Sequence, residues 1–161
     1  MLNDLIEKTL SENLTIKTVS SVHDLEGILH LIAEYQSFYK CKPDSDNNRN
    51  FFGHLLENPN AGIQFAAYLG EITVGFATLY LQFSSTNANQ YCLMNDLFVS
   101  GSCRGHGIGK KLIQHCAGYA REKGFHSLEW MTMQSNIDAQ KLYDSFKLVE
   151  KTAWYSYSIP V

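Results

Sequence analysis

No stretch of this 161-residue chain approaches the roughly 18 unbroken apolar residues of a membrane span. Its opening, MLNDLIEKTLSENL, carries acids where a secretory leader needs a basic start and an apolar run. A soluble, cytoplasmic protein with no membrane partner is expected. Basic excess is missing too: 13 Lys+Arg stand against 16 Asp+Glu, a formal net charge of −3. Proteins that gain affinity by neutralising many phosphates need the opposite balance, so no nucleic-acid partner is expected. Cysteine is scarce. Cys41, Cys92, Cys103 and Cys116 lie 51, 11 and 13 positions apart, which is neither a disulfide framework nor a zinc knuckle. They read as reduced thiols, mostly core filler. The histidines His23, His30, His54, His115 and His126 have no HExxH or paired spacing, so no metal is expected. There are only 3 prolines, no internal repeat and no low-complexity block. What remains is 45% hydrophobic and 18% charged, enough for one domain over 1–161 that buries roughly two-thirds of its unfolded surface.

The periodicity of the apolar residues changes along the chain. Leu14–Val19 alternates at period two and reads as a strand with one buried face. Ser21 followed by Asp24 can form a capping box, and Leu25, Ile28, Leu29, Ile32, Tyr35, Phe38 and Tyr39 then recur at helical spacing to about Lys40. The polar run Lys42–Asn50 reads as a connection. A short helix is expected from about Asn50 to Glu57, ended by Asn58-Pro59. Ile63–Leu69 and Ile72–Phe83 form a hairpin about Gly70-Glu71, and a third long strand runs Tyr91–Val99 after the polar loop Ser84–Asn89. Gly107–Lys123 is helical, with Gly124 placed for a left-handed cap. A strand Phe125–Met133, a helix Asn136–Phe146 and a terminal strand or hairpin Val149–Ile159 complete the chain. The hairpin-rich front half and β-α-β back half exclude the usual doubly wound nucleotide fold. The expected class is α+β: a mixed, mostly antiparallel sheet of six to seven strands flanked by about four helices.

The segment Asp96–Leu112 concentrates the chemistry. A strand runs into a loop with three alternate glycines and then into a helix, so backbone N–H groups converge at a positive helix N-terminus, a phosphate-binding arrangement. Glycine admits the anion close to the backbone, and Arg104 and Lys110 add charge. A Walker A loop fails here, because the position five before Gly109 is Arg104 and Lys110 is followed by Lys111. The dinucleotide fingerprint fails as well, because its third glycine falls on Lys110, in mid-chain after antiparallel strands. Arg-x-x-Gly-x-Gly fits, as Arg104-Gly105-His106-Gly107-Ile108-Gly109.

With that loop, and with Asn136-Ile137-Asp138-Ala139-Gln140-Lys141-Leu142-Tyr143 matching an Asn-x-x-Ala-x-x-Leu-Tyr segment, the chain resembles the GNAT superfamily of N-acetyltransferases. It looks most like the histone and polyamine acetyltransferase-like members. The motifs fall in the right order over Tyr91–Leu148, with matching elements upstream. The resemblance implies a single N-acetyltransferase domain, a splay between the fourth and fifth strands, and acetyl-CoA as co-substrate. Its pantetheine arm would lie in the splay along Leu97, Phe98 and Val99, and its pyrophosphate on Arg104, Gly105, His106, Gly107, Ile108, Gly109 and Lys110, with Asn136 and Tyr143 completing the coenzyme site. The acceptor would be a small amine or a peptide, walled by Tyr35, Phe38, Tyr39, Phe83 and Trp130, where aromatic faces hold a cation with few acids. Homodimers through the C-terminal strands are common in the superfamily and are expected here.

Acetyl transfer from a thioester to an amine needs a neutral nucleophile, a stabilised oxyanion and a protonated leaving thiolate. The resemblance assigns the oxyanion to the Phe98 N–H and the thiolate's proton to Tyr143, whose phenol has an unperturbed pKa of about 10. The base is open. Similar members read Glu-Asp where this chain reads Asn95-Asp96, and Asn95 cannot take a proton. Period-two alternation puts Asp96 on the opposite face from Asn95, so it acts as base from a shifted site, binds the amine, or is structural. A water wire to solvent is a further route. Other departures are Gly101 and Cys103, where a proline and an aromatic are usual, and Lys147-Leu148 for Gly-Phe. Asn95 favours one alternative function, a module that binds acyl-CoA without turning it over.

Overall fold

The protein is described here by a computed structural model covering residues 13–161. The expectation that the opening MLNDLIEKTLSENL is not a secretory leader therefore falls largely on residues outside those described. Alternation gives β1 (Leu14–Thr18), after which Ser21 caps α1 (Val22–Phe38). The Asp24 N–H donates to Ser21 Oγ at 3.1 Å, and the Ser20 N–H to Asp24 Oδ2 at 3.0 Å, the expected capping arrangement. The second helix, α2, spans Ser45–Glu57 and starts five residues before the expected Asn50. Asp44 explains this: its carboxylate accepts the Asn47 N–H at 3.0 Å, so an N-cap turns polar residues that read as a connection into helix. The hairpin strands β2 (Gly62–Leu69) and β3 (Ile72–Ser84) turn at Gly70, and β4 is Asn89–Val99. A 3-10 turn, Gly101–Cys103, leads to α3 (Ile108–Glu122). Then come β5 (Leu128–Glu129) and α4 (Ile137–Asp144).

The strands form one sheet in the order β1-β2-β3-β4-β5, antiparallel except for the parallel β4/β5 pair. Five strands among the described residues, not six to seven, is the first correction. Phe125–Met133 was expected as a strand, yet only Leu128 and Glu129 pair, opposite Cys92 and Leu93. The terminal segment Val149–Ile159 forms no strand. Its apolar residues alternate, but Trp154, Tyr155, Tyr157 and Ile159 are all exposed, and alternation without a partner ladder does not make a strand.

The described chain divides into two compact units, one ending at Met131 and the other running Thr132–Val161. In the first, α1 and α2 cover one sheet face, with Leu25, Ile28, Leu31, Ile32 and Phe52 packed on Ala66, Phe76 and Phe98. The opposite face meets α3, whose Leu112 sits against Gly75. The two covering helices are joined by a reciprocal amide pair: Gln36 Nε2 donates to Asn48 Oδ1 at 2.8 Å and Asn48 Nδ2 to Gln36 Oε1 at 2.9 Å. Arg49 adds ion pairs to Glu26 and Asp46. In the second unit, Asn136 caps α4 by accepting the Ala139 N–H at 3.3 Å.

Both long helices with a described left-handed exit end alike. Gly124, at φ +77°, closes α3 with bonds from the Gly124 N–H to Arg121 O and the Phe125 N–H to Ala120 O, as expected of a left-handed cap. Lys40, at φ 60°, closes α1 in the same way through Ser37 O and Gln36 O. A side chain at such a dihedral costs about 1 kcal/mol relative to glycine. Gly124→Ala is expected to lower the unfolding free energy by about 1 kcal/mol, and Lys40→Gly to raise it by about 0.5 kcal/mol, read from urea midpoints.

Candidate active site

One residue too many in β4 organises the first unit. Thr78 pairs with Asp96 but Leu79 pairs with Met94, so Asn95 is the extra residue of a β-bulge. A bulge bends its strand and re-aims side chains. Just before the bulge β4 loses its other neighbour: β5 ends at Glu129, and beyond Leu93 β4 has no ladder to β5 among the described residues, where the splay between the fourth and fifth strands was expected. Asn95 is exposed where Asp96 is buried, in keeping with the opposite faces expected, and its Nδ2 still reaches back to donate to Asp96 Oδ1 at 3.0 Å.

The splay exposes a particular half of the backbone. Ser100 N–H donates to Val74 O at 2.9 Å, so Ser100 faces β3, and by alternation Phe98 and Asp96 do too. The backbone groups of Leu97 and Val99 therefore point away from β3, toward the gap. Phe98, expected among the gap-facing residues and as the amide donor there, has its carbonyl turned to β3, where a β-carbon on Gly75 would meet Phe98 O at 2.8 Å. Val99 O takes a bond of 2.9 Å from Arg104 Nε.

Asp96 is 5% exposed. Thr78 lies directly across from it on β3, and Gln64 directly across from Thr78 on β2. These three buried side chains form a rung over three strands, with Gln64 Nε2 donating to Thr78 Oγ1 at 3.0 Å. Burial pushes the Asp96 carboxyl above its usual range, against bonds from Thr78, Asn95 and Tyr35 that draw it down. The single Tyr35 hydroxyl proton is shared between Asp96 and Asn95 O, the latter 3.4 Å away, and burial, then the Asp96 charge, raise the phenol well above its ordinary value. Burial pushes Tyr80 up to about 12, with Asp96 contributing.

Aromatic rings join this carboxylate to the glycine loop. Tyr35 packs edge-on against Tyr39 at 5.0 Å and against Phe76 and Phe98 at 6.0 Å. The Arg104 guanidinium lies 5.2 Å over Phe98 and 5.9 Å over Phe38. In the loop itself, Gly105 and Gly107 take φ of +82° and +76°, and nothing lies within 4 Å of where their β-carbons would be. They are required for dihedral angle, not for space. Gly107 caps α3 and its carbonyl accepts the Lys111 N–H at 3.1 Å, so the helix N-terminus, with its positive dipole end, opens directly from the glycine loop. Ile108 is buried and His106 half-buried.

The structure thus brings Tyr35, Phe38, Tyr39, Asn95, Asp96, Phe98 and Arg104 together. Phe83 is not among them. It is 80% exposed at the hairpin tip, about 17 Å along β3 from Thr78 and on the other face, since five positions separate them. Trp130 is half-buried just past β5. In the second unit Asn136 uses its side-chain oxygen as the α4 cap, and Tyr143 is half-buried in the last turn of α4. Sequence reasoning missed Gln64 and Thr78. The available signal was a lone amide and a lone hydroxyl inside otherwise apolar strands. Among the described residues no group of three or more His, Cys, Asp or Glu is placed to hold a metal, and no helix is long and apolar enough to cross a membrane.

Residues 25–147 match the acetyltransferase (GNAT) family. An uncharacterized N-acetyltransferase of Bacillus subtilis is 32% identical over 138 residues, covering 86% of this chain and 92% of the relative. A thialysine N-epsilon-acetyltransferase of Caenorhabditis elegans is 32% identical over 149 residues, 91% of each chain. A crystal structure described as that of a probable acetyltransferase superposes with a TM-score of 0.77 at 25% identity, covering 92% of this chain and 97% of the other.

A carboxyl whose folded pKa is raised favours the folded state below the unfolded value and loses that contribution as pH rises through the folded one. Asp96 behaves so, from about pH 4 upward. Asp96→Asn removes the titration. Its stability relative to wild type is expected to improve as pH rises across that window and then level off, measured by urea unfolding between pH 4 and 8. A pH-independent difference would contradict the burial of an ionisable carboxyl.

Proposed function

Because this chain belongs to the acetyltransferase (GNAT) family and is an N-acetyltransferase, we propose that it moves the acetyl group of acetyl-CoA to a primary amine by direct attack in a ternary complex. The observation that carries the reading is the Asn95 bulge, which puts an unpaired backbone edge and a buried carboxylate at one point of β4. Residues 1–161 act as one domain, since the family match runs across Met131.

The gap fits an extended amide-bearing arm. Leu97 and Val99 offer it a strand edge, and a ligand that pairs there replaces the Arg104 bond to Val99 O, freeing the guanidinium for an anion. The pyrophosphate would sit at Gly105–Lys110, where left-handed glycines and first-turn amides suit an anion. Acetyl-CoA supplies the activated thioester. The oxyanion donor is then Leu97 N–H, in place of the Phe98 N–H expected from sequence, because only the former faces the gap.

Of the three readings of the base, Asp96 as proton acceptor is favoured. A carboxyl raised by burial is better matched to an ammonium near neutral pH than an exposed one. Tyr35, Phe38 and Tyr39 wall the acceptor, and Tyr143 protonates the departing thiolate. The acceptor is a small amine such as an amino-acid side chain or polyamine, or a basic peptide. The thialysine relative supports the first of these. The exposed Trp154, Tyr155 and Tyr157 suit a homodimer contact. A second reading, an acyl-CoA-binding module with weak turnover, is favoured by Asn95, which has no proton-accepting group.

Thiol release with acetyl-CoA across polyamines, amino acids, aminoglycosides and basic peptides tests both. Amine-dependent release is expected, reduced about 10²-fold in kcat by Tyr143→Phe and by Asp96→Asn, with acetyl-CoA affinity retained. Tight coenzyme binding without release for any amine would establish the binding module instead.

A further inference from the structure

Three of the four buried polar side chains described, Gln64, Thr78 and Asp96, stand in register on adjacent strands. Such a rung is costly in an interior. Desolvated amide, hydroxyl and carboxylate groups stabilise a fold less than apolar residues of the same volume, unless they are fully bonded. The rung also has a direction. Gln64 Nε2 donates to Thr78 Oγ1 at 3.0 Å, which occupies that oxygen as an acceptor and leaves the Thr78 proton for Asp96. We propose that Gln64 and Thr78 are positioning residues, a one-way hydrogen-bond chain across three strands that holds the Asp96 carboxylate ionised and fixed beside the bulge for proton transfer.

The proton-transfer part rests on the reading of Asp96 as the base; the chain itself does not. Asn95 approaches from the bulge, so Asp96 is held from its own strand and from β3 at once. The other titratable or charged groups facing this place are Tyr35 from α1 with Tyr39 behind it, Tyr80 from β3, and Arg104 over the Phe98 ring. Of the donors to the carboxylate, Thr78 alone is completely buried, so no water can take over its role after substitution.

The test is to replace Thr78→Val, which keeps shape and removes the donor, and Gln64→Leu, which removes the group that orients it. The Asp96 carboxyl is titrated directly by carbon-13 NMR of aspartate-labelled protein, with no substrate present. The pH profile of kcat/KM for an accepted amine is measured in parallel. Thr78→Val is expected to move the carboxyl titration upward by about one pH unit, a donor to the charged form having been lost. The acid limb should follow, giving about tenfold lower kcat/KM below it and a plateau within about twofold above it. Gln64→Leu should shift both in the same direction by less, the double variant should add little to Thr78→Val, and Thr78→Ser should restore wild-type behaviour. A carboxyl titration unmoved in both variants, with only stability or the plateau reduced, would overturn the chain and leave a packing role. Titration that moves while the acid limb stays put would support the chain and refute Asp96 as base. Absence of turnover in wild type would refute the proposed reaction, and the NMR titration would still decide the chain.

Discussion

The geometry of the first unit depends on a count: β4 carries one residue more than the stretch of β3 it pairs with. A ladder can absorb that residue only by bending. The parallel pairing with β5 stops at Leu93, just before that residue, and among the described residues no strand pairs with β4 at Leu97 and Val99 on the side away from β3. In most proteins an open strand edge is a liability to be blunted. Here it sits between elements that cannot close over it, because α1 holds the near face through Tyr35 and Phe98 while Arg104 covers one carbonyl. The opening is thus fixed by the register of a strand pair, which no side-chain motion can change.

The same bulge decides how a charge is kept inside the protein. Asp96 cannot swing out to water without breaking its bonds to Thr78 and Asn95, and Tyr35 seals it from the helix side. Burial and bonding pull the carboxyl in opposite directions, with burial the stronger. Stability and reactivity then compete at one residue, as is common where chemistry is built into a core. The aromatic cluster gives the arrangement its stiffness, since its rings have few rotamers and the Arg104 cation spans two of them.

Much of this was legible in the sequence. Ser21 and Asp24, the Gly70 turn, Gly124 and the loop glycines Gly105 and Gly107 each impose a local geometry without tertiary help, and each appears where expected, while the third alternate glycine, Gly109, falls inside α3. The glycine loop with the Asn-to-Tyr segment carried the family. What stayed hidden depended on pairing. A bulge is a mismatch between two strands, so Asn95 looked like any alternating residue. Backbone direction follows register, which is why Phe98 stood in for Leu97. Strand length depends on a neighbour, so Phe125–Met133 shrank to two residues and Val149–Ile159 to none. Phe83 read as a wall residue because composition cannot say how far along a hairpin a site lies.

The amide ring between Gln36 and Asn48 has a bearing on how such a protein can change its preferences. Tyr35 lies on the last turns of α1, next to Gln36, and Tyr39 caps that helix, so the wall is braced by α2, which contributes no ring to the aromatic cluster around Tyr35. The segment between the helices, Lys40 to Asp44, is spared that load. Insertions or deletions there can reshape the rim of the pocket while the floor stays in place, so loop length offers a route by which a descendant could accept a longer or shorter amine.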